Sequence, residues 1–498
     1  MKNKVLLNSS TGIAYRIVSL ILGMVFRRIF ILSMGQELSG LTGLYANVID
    51  LLKITLAGVG NSALYQLYQC NANSDEEKRK RIYYFATRFY VIVSVLIFVL
   101  GLVFSVRIDF LIKNNTYSIN FLRTVFILQV ASQSIPMIFS FYQLALRAYE
   151  EQYINNIVNC ATDIVIYIAQ ILIIILTHNY FWYLFTIILR YTIPSVFVYC
   201  FSKKRHYVEP YHGKFSISGL LETFSDLKST VVGQISNFVF LATDSIVISK
   251  AIGLVSVNLY SNYMIIVNAL IAFFDEINAA VQSRVGNVLA KDDTEKELFH
   301  CIKKNVICQH VLLSFASFAF FLLVDNFMVI WLGKECVLPI STAALFFINY
   351  IVYEINMPLK TTAQAMGLFD KEKKTTAVGA GLNLFTSIVL VICMGLNGVI
   401  LGSIIGNVIM LIYRLNMMRG LMEHYFSSLR KTFWLVGISY IVTTCVGLVL
   451  VPTLETYGLM FSIAIKICLC ILVPMITNYL LFRNDNELRE VIKGIVKR

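Results

Sequence analysis

Long apolar runs alternate with short polar segments from one end of the chain to the other. Each run has the length, about 20 residues or more, that an α-helix needs to cross the hydrocarbon core of a bilayer. The pattern therefore predicts an all-α polytopic membrane protein with about 14 transmembrane helices. The predicted spans are 10–33, 40–68, 82–106, 119–146, 154–177, 179–201, 224–250, 256–285, 305–331, 339–366, 375–395, 397–418, 431–451 and 457–482.

The composition agrees with this pattern. Of the 498 residues, 57% are hydrophobic and only 14% are charged, whereas soluble proteins carry about 25% charged residues. The first span has spanning length and no small-residue cleavage site after it, so we expect no cleavable signal peptide. The ten cysteines are scattered without a CxxC, and the six histidines are predicted to lie in or near loops without ligand spacing. We therefore expect no metal, no cofactor and no disulfide framework.

The basic residues are distributed unequally between the two sides of the predicted membrane. The segments on the side of the termini hold 28 lysines and arginines, and those on the opposite side hold 5. Because basic loops stay in the cytoplasm, both termini are predicted to be cytoplasmic. The net charge of +13 then reflects topology and attraction to anionic lipids, and it does not indicate a nucleic-acid partner.

The chain also repeats itself. The segment GLYANVIDLL from Gly43 is similar to NLYSNYMIIV from Asn258, and a similar apolar span precedes each copy. Six spans separate the copies, so the two repeats are parallel, as in transporters that are built from two similar lobes. The predicted organisation is an N-terminal lobe over 1–218, a C-terminal lobe over 219–430, and two further helices with a cytoplasmic tail over 431–498.

Arginines interrupt the first span. Arg16 and Arg27 lie on one helical face together with Ser19 and Gly23, whereas Arg28 points about 100° away. An arginine at membrane depth costs a few kcal/mol, so such residues are functional candidates. One alternative is that Arg27 and Arg28 reach the outer interface with their long side chains. The small residues of the same face can admit a neighbouring helix.

Other spans carry polar stripes with further candidates. Asp50 and Lys53 lie one turn apart in the second span and can form an ion pair. Gln133 lies on a polar face of the fourth span, Asp244 in the seventh and Lys360 in the tenth. The alternative interpretation is that such side chains join helices to one another, and that Asp244 is the structural partner of an arginine. Five cations in apolar spans are more typical of a binding site.

Several segments resemble those of the Wzx-type oligosaccharide flippases, whose superfamily also contains the multidrug and toxin extrusion exporters and the lipid II flippases. They are FRRIFILSMGQELSGLTGLYANVIDLL from Phe26, YQCNANSDEEKRKR from Tyr68, LATDSIVISKAIGLVSVNLYSNY from Leu241 and AMGLFDKEKKTTAVGAGLNLFTSIVLV from Ala365. The resemblance covers most of the chain. It implies two lobes that translocate a lipid-linked oligosaccharide from the cytoplasmic to the outer leaflet of a bacterial plasma membrane by alternating access.

The resemblance also implies roles for individual residues. Cations of the central cavity face the pyrophosphate of the substrate, for which Arg16, Arg27, Arg28 and Lys53 are the candidates here, and Asp244 matches an aspartate that is common in the seventh span. With Asp50, Lys360 and Gln133 they form the predicted substrate site, with no catalytic residue.

The expected activity is the export of a polyprenyl-pyrophosphate-linked glycan for capsule or another surface polysaccharide. Membrane lipids are expected partners, and the polysaccharide polymerase machinery is a possible one. The alternatives are a multidrug exporter of the same fold, a polysaccharide polymerase and a scaffold without transport activity. The chain has no Walker A loop and no long outer loop with paired arginines, so an enzyme is not expected.

Overall fold

The computed structural model describes residues 2–53, 60, 63–64, 66–70, 73, 75–113, 116–208, 211, 243–289, 295–455, 459–483 and 485. Its regular structure is helical, with no strand among these residues. The labelled helices are α1 (Lys2–Met34), α2 (Gln36–Leu52), α3 (Glu76–Ser105), α4 (Ile119–Met137), α5 (Ser140–Ala148), α6 (Gln152–Thr177), α7 (Tyr180–Lys204), α8 (Leu254–Leu289), α9 (Glu295–Leu332), α10 (Ile340–Ala365), α11 (Phe369–Met394), α12 (Leu396–Arg419), α13 (Phe426–Glu455) and α14 (Leu459–Phe482).

Twelve helical segments within the described residues are long and apolar enough to cross a membrane. Each of them overlaps one of the fourteen predicted spans, and the predicted all-α polytopic fold is confirmed. The two remaining predicted spans, 40–68 and 224–250, include residues outside the described ranges.

The chain divides into two compact units, Met1–Asn258 and Leu259–Arg498. The predicted boundary between the lobes, at 218/219, lies outside the described residues, so it remains a prediction. In the second unit, α13 and α14 pack against α9.

The predicted repeat is visible in two glycine turns of the first unit and in one aromatic contact of each unit. Gly35 ends α1 with a φ of 85°, and Gly253 precedes α8 with a φ of 134°, a backbone conformation that favours glycine. Tyr45 of α2 packs edge-to-face on Phe126 of α4, with ring centroids 5.0 Å apart. Tyr260 of α8 packs in a tilted arrangement on Phe346 of α10 at 5.4 Å. The two segments that are similar in sequence thus make similar contacts.

The fourth predicted span is broken in the middle. Pro136 has no N–H to donate and crowds the preceding turn, and α4 ends one residue later, at Met137, before α5 begins at Ser140. Gln133 precedes the break, and Gln143 follows it. Their partners differ accordingly, because the Gln133 amide oxygen accepts from Lys53 near α2, whereas the Gln143 amide donates to Ser195 of α7.

Aromatic packing fixes the rotation of α1. Phe26 and Phe30 are buried, and Phe26 stacks on Tyr183 of α7 with ring centroids 5.4 Å apart. Phe26 also contacts Tyr167 of α6. Since successive helical residues differ by about 100°, anchoring these two rings turns Arg27 and Arg28 away from this aromatic contact.

Candidate substrate site

Three of the predicted site residues meet near the end of α2. The Lys53 amine lies 2.7 Å from an Asp50 carboxylate oxygen and donates to the Gln133 amide oxygen at 2.6 Å. The pairing of Asp50 with Lys53 is thus confirmed, and Gln133 of α4 is an additional partner. The side chains of Lys53 and Asp50 are 26% and 48% exposed, so an incoming group can still reach the amine.

Arg27 holds α1 close to the first turns of α8. Its guanidinium donates to the Asn258 side-chain oxygen at 3.1 Å, and the Asn258 amide donates to Gln36 at 3.5 Å. Asn258 is completely buried. Nearby, Gly40 approaches the backbone carbonyl of Leu254 so closely that a Cβ could not fit there. Arg27, which is half-buried, therefore combines a structural contact with its predicted role.

The rest of the predicted α1 face divides between a helix contact and an exposed surface. A Cβ at Gly23 would lie 3.2 Å from the Tyr167 hydroxyl, and the Ser19 hydroxyl donates to Asp163 at 2.7 Å. The expectation that small residues of this face admit a neighbouring helix is thus confirmed, and the neighbour is α6. Arg16 and Arg28 are exposed.

An ion pair that the sequence interpretation missed lies beside this face. Arg190 of α7 donates to both oxygens of Asp163 of α6, at 2.8 and 3.1 Å. Its guanidinium also lies over the Tyr167 ring, 4.2 Å from the centroid. Opposite charges in adjacent apolar spans are the signal that could have revealed it. Because Asp163 neutralises Arg190, this pair carries no net charge toward a ligand.

Asp244 is buried in the first unit, in a helical stretch over 243–251. The next residue, Ser245, accepts a hydrogen bond from the Asn47 amide at 2.7 Å. Asn47 is one turn from Asp50 on α2. Asp244 therefore lies in a segment that contacts the helix carrying Asp50.

Lys360 belongs to α10 of the second unit, where it lies within electrostatic range of Asp275, Glu372 and Arg414. Arg414 of α12 is 2% exposed, and it donates to both oxygens of Glu372 and, at 2.7 Å, to the Asn356 side chain. The charge count includes Arg414 among the basic residues of the cytoplasmic side, which remains a prediction. The side chain is buried in the packing of the helices.

A second buried group in this unit corrects the sequence interpretation of His310. The histidine is expected in or near a loop, but it lies inside α9, within the predicted span 305–331, and its side chain is buried. Its Nδ1 lies 3.1 Å from the Tyr440 hydroxyl of α13. The preceding residue, Gln309, donates to the carboxylate of Glu354, which is fully buried. No titratable side chain of this group was predicted.

No family model matches the sequence, and neither does any curated protein. Among solved structures, the lipid II flippase MurJ in an inward closed conformation matches with a TM-score of 0.67 and 15% identity, over 95% of this chain and 99% of that one. A multidrug resistance MATE family transporter of the MOP superfamily, inward-facing, matches at 0.69 and 16%, over 83% and 96%. This chain has the fold of these transporters. The Vibrio cholerae MATE transporter VcmN in the bent form also matches, at 0.54 and 12%, over 85% and 99%.

Proposed function

We propose that this protein is a Wzx-type flippase that moves a polyprenyl-pyrophosphate-linked oligosaccharide from the cytoplasmic to the outer leaflet of a bacterial plasma membrane. The lipid would supply capsule or another surface polysaccharide, and transport would proceed by alternating access. Both termini lie in the cytoplasm in this proposal. The glycan lipid and the surrounding membrane lipids are its partners, together with the polymerase machinery that consumes the product.

The observation that carries the proposal is the set of cations on α1 and at the end of α2. Arg16 and Arg28 are exposed on an apolar helix, and Lys53 is held by two side chains at a position that a ligand can reach. Cations at membrane depth are costly and mark pathways for charged groups. Arginine and lysine provide the charge-assisted hydrogen bonds that a pyrophosphate needs when it leaves water.

The remaining candidates fit the same ligand. Gln133 presents an amide beside Lys53, and Asp50 moderates the charge of that amine, which favours reversible binding. Asp244 and Lys360 belong to the proposal as further members of the site. The structural match to MurJ, a flippase of lipid II by its description, extends over nearly the full length of both chains. This likeness supports a lipid-linked substrate.

A multidrug exporter is the second candidate, because a MATE transporter matches with a comparable TM-score. An organic cation would be attracted by exposed carboxylates and repelled by Arg16, Arg28 and Lys53. Of the two carboxylates in the predicted site, Asp244 is buried and Asp50 is paired with Lys53. The balance of charge among the predicted site residues thus favours an anionic substrate.

The test is a flipping assay with the purified full chain in vesicles that contain a fluorescent polyprenyl-pyrophosphate oligosaccharide. A membrane-impermeant quencher reports the fraction of label in the outer leaflet over time. We expect the protein to accelerate flipping, and Lys53→Ala with Arg16→Ala to abolish most of the acceleration. Arg88→Ala is the matched control, since Arg88 is an exposed cation of α3 whose guanidinium stacks on Tyr84.

A protein that leaves the flipping rate unchanged but exchanges an organic cation such as ethidium across the same vesicles would reverse the order of the two candidates.

A further inference from the structure

The side of the protein that is predicted to face outward carries few cations, and two of them converge on one cavity. Of the five basic residues on that side, Arg107 and Arg123 line a surface cavity of about 720 Å³ in the first unit, together with Val106, Asp109 and Ile119. The cavity lies where α3 ends and α4 begins. It is open to solvent, so a phosphate group can reach it.

The donors of this cavity are largely uncommitted. Arg123 donates one hydrogen bond, from Nη2 to the Val106 carbonyl at 2.8 Å, and its Nε is buried without an acceptor among the described residues. A buried donor without an acceptor is unfavourable, so the site is more favourable when an acceptor is bound. Arg107 is exposed and forms no side-chain hydrogen bond or ion pair with a described residue.

Two further features decide the sign of the ligand. Ile119 is the first residue of α4, so the positive end of that helix adds to the field of the two guanidinium groups. Asp109 also lines the cavity and opposes an anion, but no ion pair joins it to Arg107 or Arg123. Two cations and a helix N-terminus against one carboxylate leave the cavity positive.

We propose that Arg107 and Arg123 form a binding site for a lipid-linked phosphate on the outer surface. This inference deepens the proposed function, on which it rests: the site would receive the pyrophosphate of the glycan lipid after translocation. The same chemistry fits the headgroup of an anionic phospholipid. The planar guanidinium group of an arginine binds phosphate oxygens through paired hydrogen bonds. Two such groups suit the several oxygens of a pyrophosphate.

The experiment needs a signal from this cavity alone, because the cations of α1 and α2 bind the same chemistry. A photo-crosslinking amino acid replaces Ile119 in the full chain, which is placed in phosphatidylcholine nanodiscs with radiolabelled farnesyl pyrophosphate. The concentration dependence of crosslinking gives an apparent Kd. We expect the double variant Arg107→Gln, Arg123→Gln to weaken that Kd about tenfold or more, since charge-assisted hydrogen bonds are the strong ones.

A variant that is expected to tighten binding, and not to weaken it, makes the test more specific. Asp109→Asn removes the opposing charge and is expected to tighten the apparent Kd about threefold or more, an effect of local charge. Lys334→Gln is the matched control, because Lys334 is a predicted outer-side cation that lies in the second unit, and it should leave the Kd unchanged. Unaltered crosslinking in the arginine double variant, or no gain in Asp109→Asn, would overturn the site.

Nanodiscs with added phosphatidylglycerol separate the two sources of phosphate. Retained crosslinking supports the pyrophosphate lipid as the ligand, whereas loss of crosslinking through competition makes any anionic headgroup a ligand and overturns the specific receiving role.

The flipping assay distinguishes the two proposals. If the protein shows the expected crosslinking but does not flip the glycan lipid, the anion site is supported and the proposed function is refuted. If the protein flips the glycan lipid but does not show the expected crosslinking, only the anion site is refuted.

Discussion

The amine of Lys53 donates to the amide oxygen of Gln133 at 2.6 Å, although 80 residues separate them. The same amine is 2.7 Å from Asp50. A lysine with two fixed partners keeps its orientation, which a flexible four-carbon side chain would otherwise lose. The cation is therefore positioned before a ligand arrives.

This relationship predicts a graded series of transport rates. Lys53→Ala removes the charge, and we expect the initial flipping rate to fall about tenfold or more, as for the loss of a charge-assisted hydrogen bond. Gln133→Leu keeps the charge of Lys53 but removes one of its two hydrogen-bond acceptors, so we expect the flipping rate to fall about two- to fivefold. Initial rates in vesicles, normalised to the amount of reconstituted protein, are the measurement. Equal losses in both variants would indicate that the pair acts through packing and not through the charge of Lys53.

Arg27 is predicted to require its guanidinium as well as its charge. Arg27→Ala should insert and accumulate normally yet lose most glycan export, and Arg27→Lys should recover only part of it, because an ammonium lacks the planar fork. Asn258→Ala is the control that the structure provides, since it removes the partner of Arg27 at 3.1 Å and leaves the arginine in place. If Asn258→Ala lost as much export as Arg27→Ala, the arginine would act by holding α1 to α8.

The sequence could predict what depends on local spacing. Helical periodicity placed Asp50 and Lys53 one turn apart, and hydropathy located the spans, because both follow from the geometry of one helix. It could not predict that Gln133 joins Lys53 or that Arg190 binds Asp163, because these partners lie on different helices. Periodicity gives the face of a helix, but the neighbour of that face depends on packing.

The partners of polar residues inside the spans were the second limit. Arg414 is counted with a flank and His310 with the loop residues, although both lie within predicted spans, 397–418 and 305–331. Both side chains are buried against other helices, and hydropathy along one helix does not reveal such packing.

At the end of the first unit that is predicted to be cytoplasmic, an ion pair and a hydrogen bond make the stability of the protein depend on pH. Glu151 pairs with Lys4 at 3.1 Å and accepts a hydrogen bond from the Tyr207 hydroxyl. Burial raises the pKa of Glu151, but the hydrogen bonds from Tyr207 and Lys4 outweigh it and bring the pKa below its ordinary value. Its stabilising contribution is therefore present above the ordinary glutamate pKa and is lost as the pH falls through the lowered one.

We accordingly expect Glu151→Gln to lower the thermal unfolding midpoint at pH 7, and this difference should shrink as the pH falls below about 4.3. Tyr207→Phe, which removes one donor, should show a smaller effect with the same direction. A difference between Glu151→Gln and the unmodified protein that stayed constant from pH 7 to low pH would contradict a role for the charge.

The orientation can be tested by thiol labelling in intact cells. Because 28 basic residues lie on one predicted side and 5 on the other, Cys301 should react with an impermeant maleimide only after permeabilisation. A cysteine that replaces the exposed Lys113 should react directly. Each thiol is placed in an otherwise cysteine-free variant. Cys70 is unsuitable as a reporter of the cytoplasmic side, because it is 2% exposed. The reverse pattern for positions 113 and 301 would invert the topology.

The final prediction concerns the buried Arg414 of the second unit. Its guanidinium binds both oxygens of Glu372 and the Asn356 side chain, so Arg414→Met leaves the Glu372 charge without its partner, at a cost of about 3–5 kcal/mol. Adding Glu372→Leu should restore much of the loss, because a well-packed apolar pair can replace a buried ion pair. Arg414→Lys should stay destabilised, since one ammonium cannot reproduce three hydrogen bonds in the plane of a guanidinium. Unfolding midpoints in detergent measure all three variants, and a double variant no more stable than Arg414→Met would show that Arg414 stabilises the unit through its packing and not through its charge.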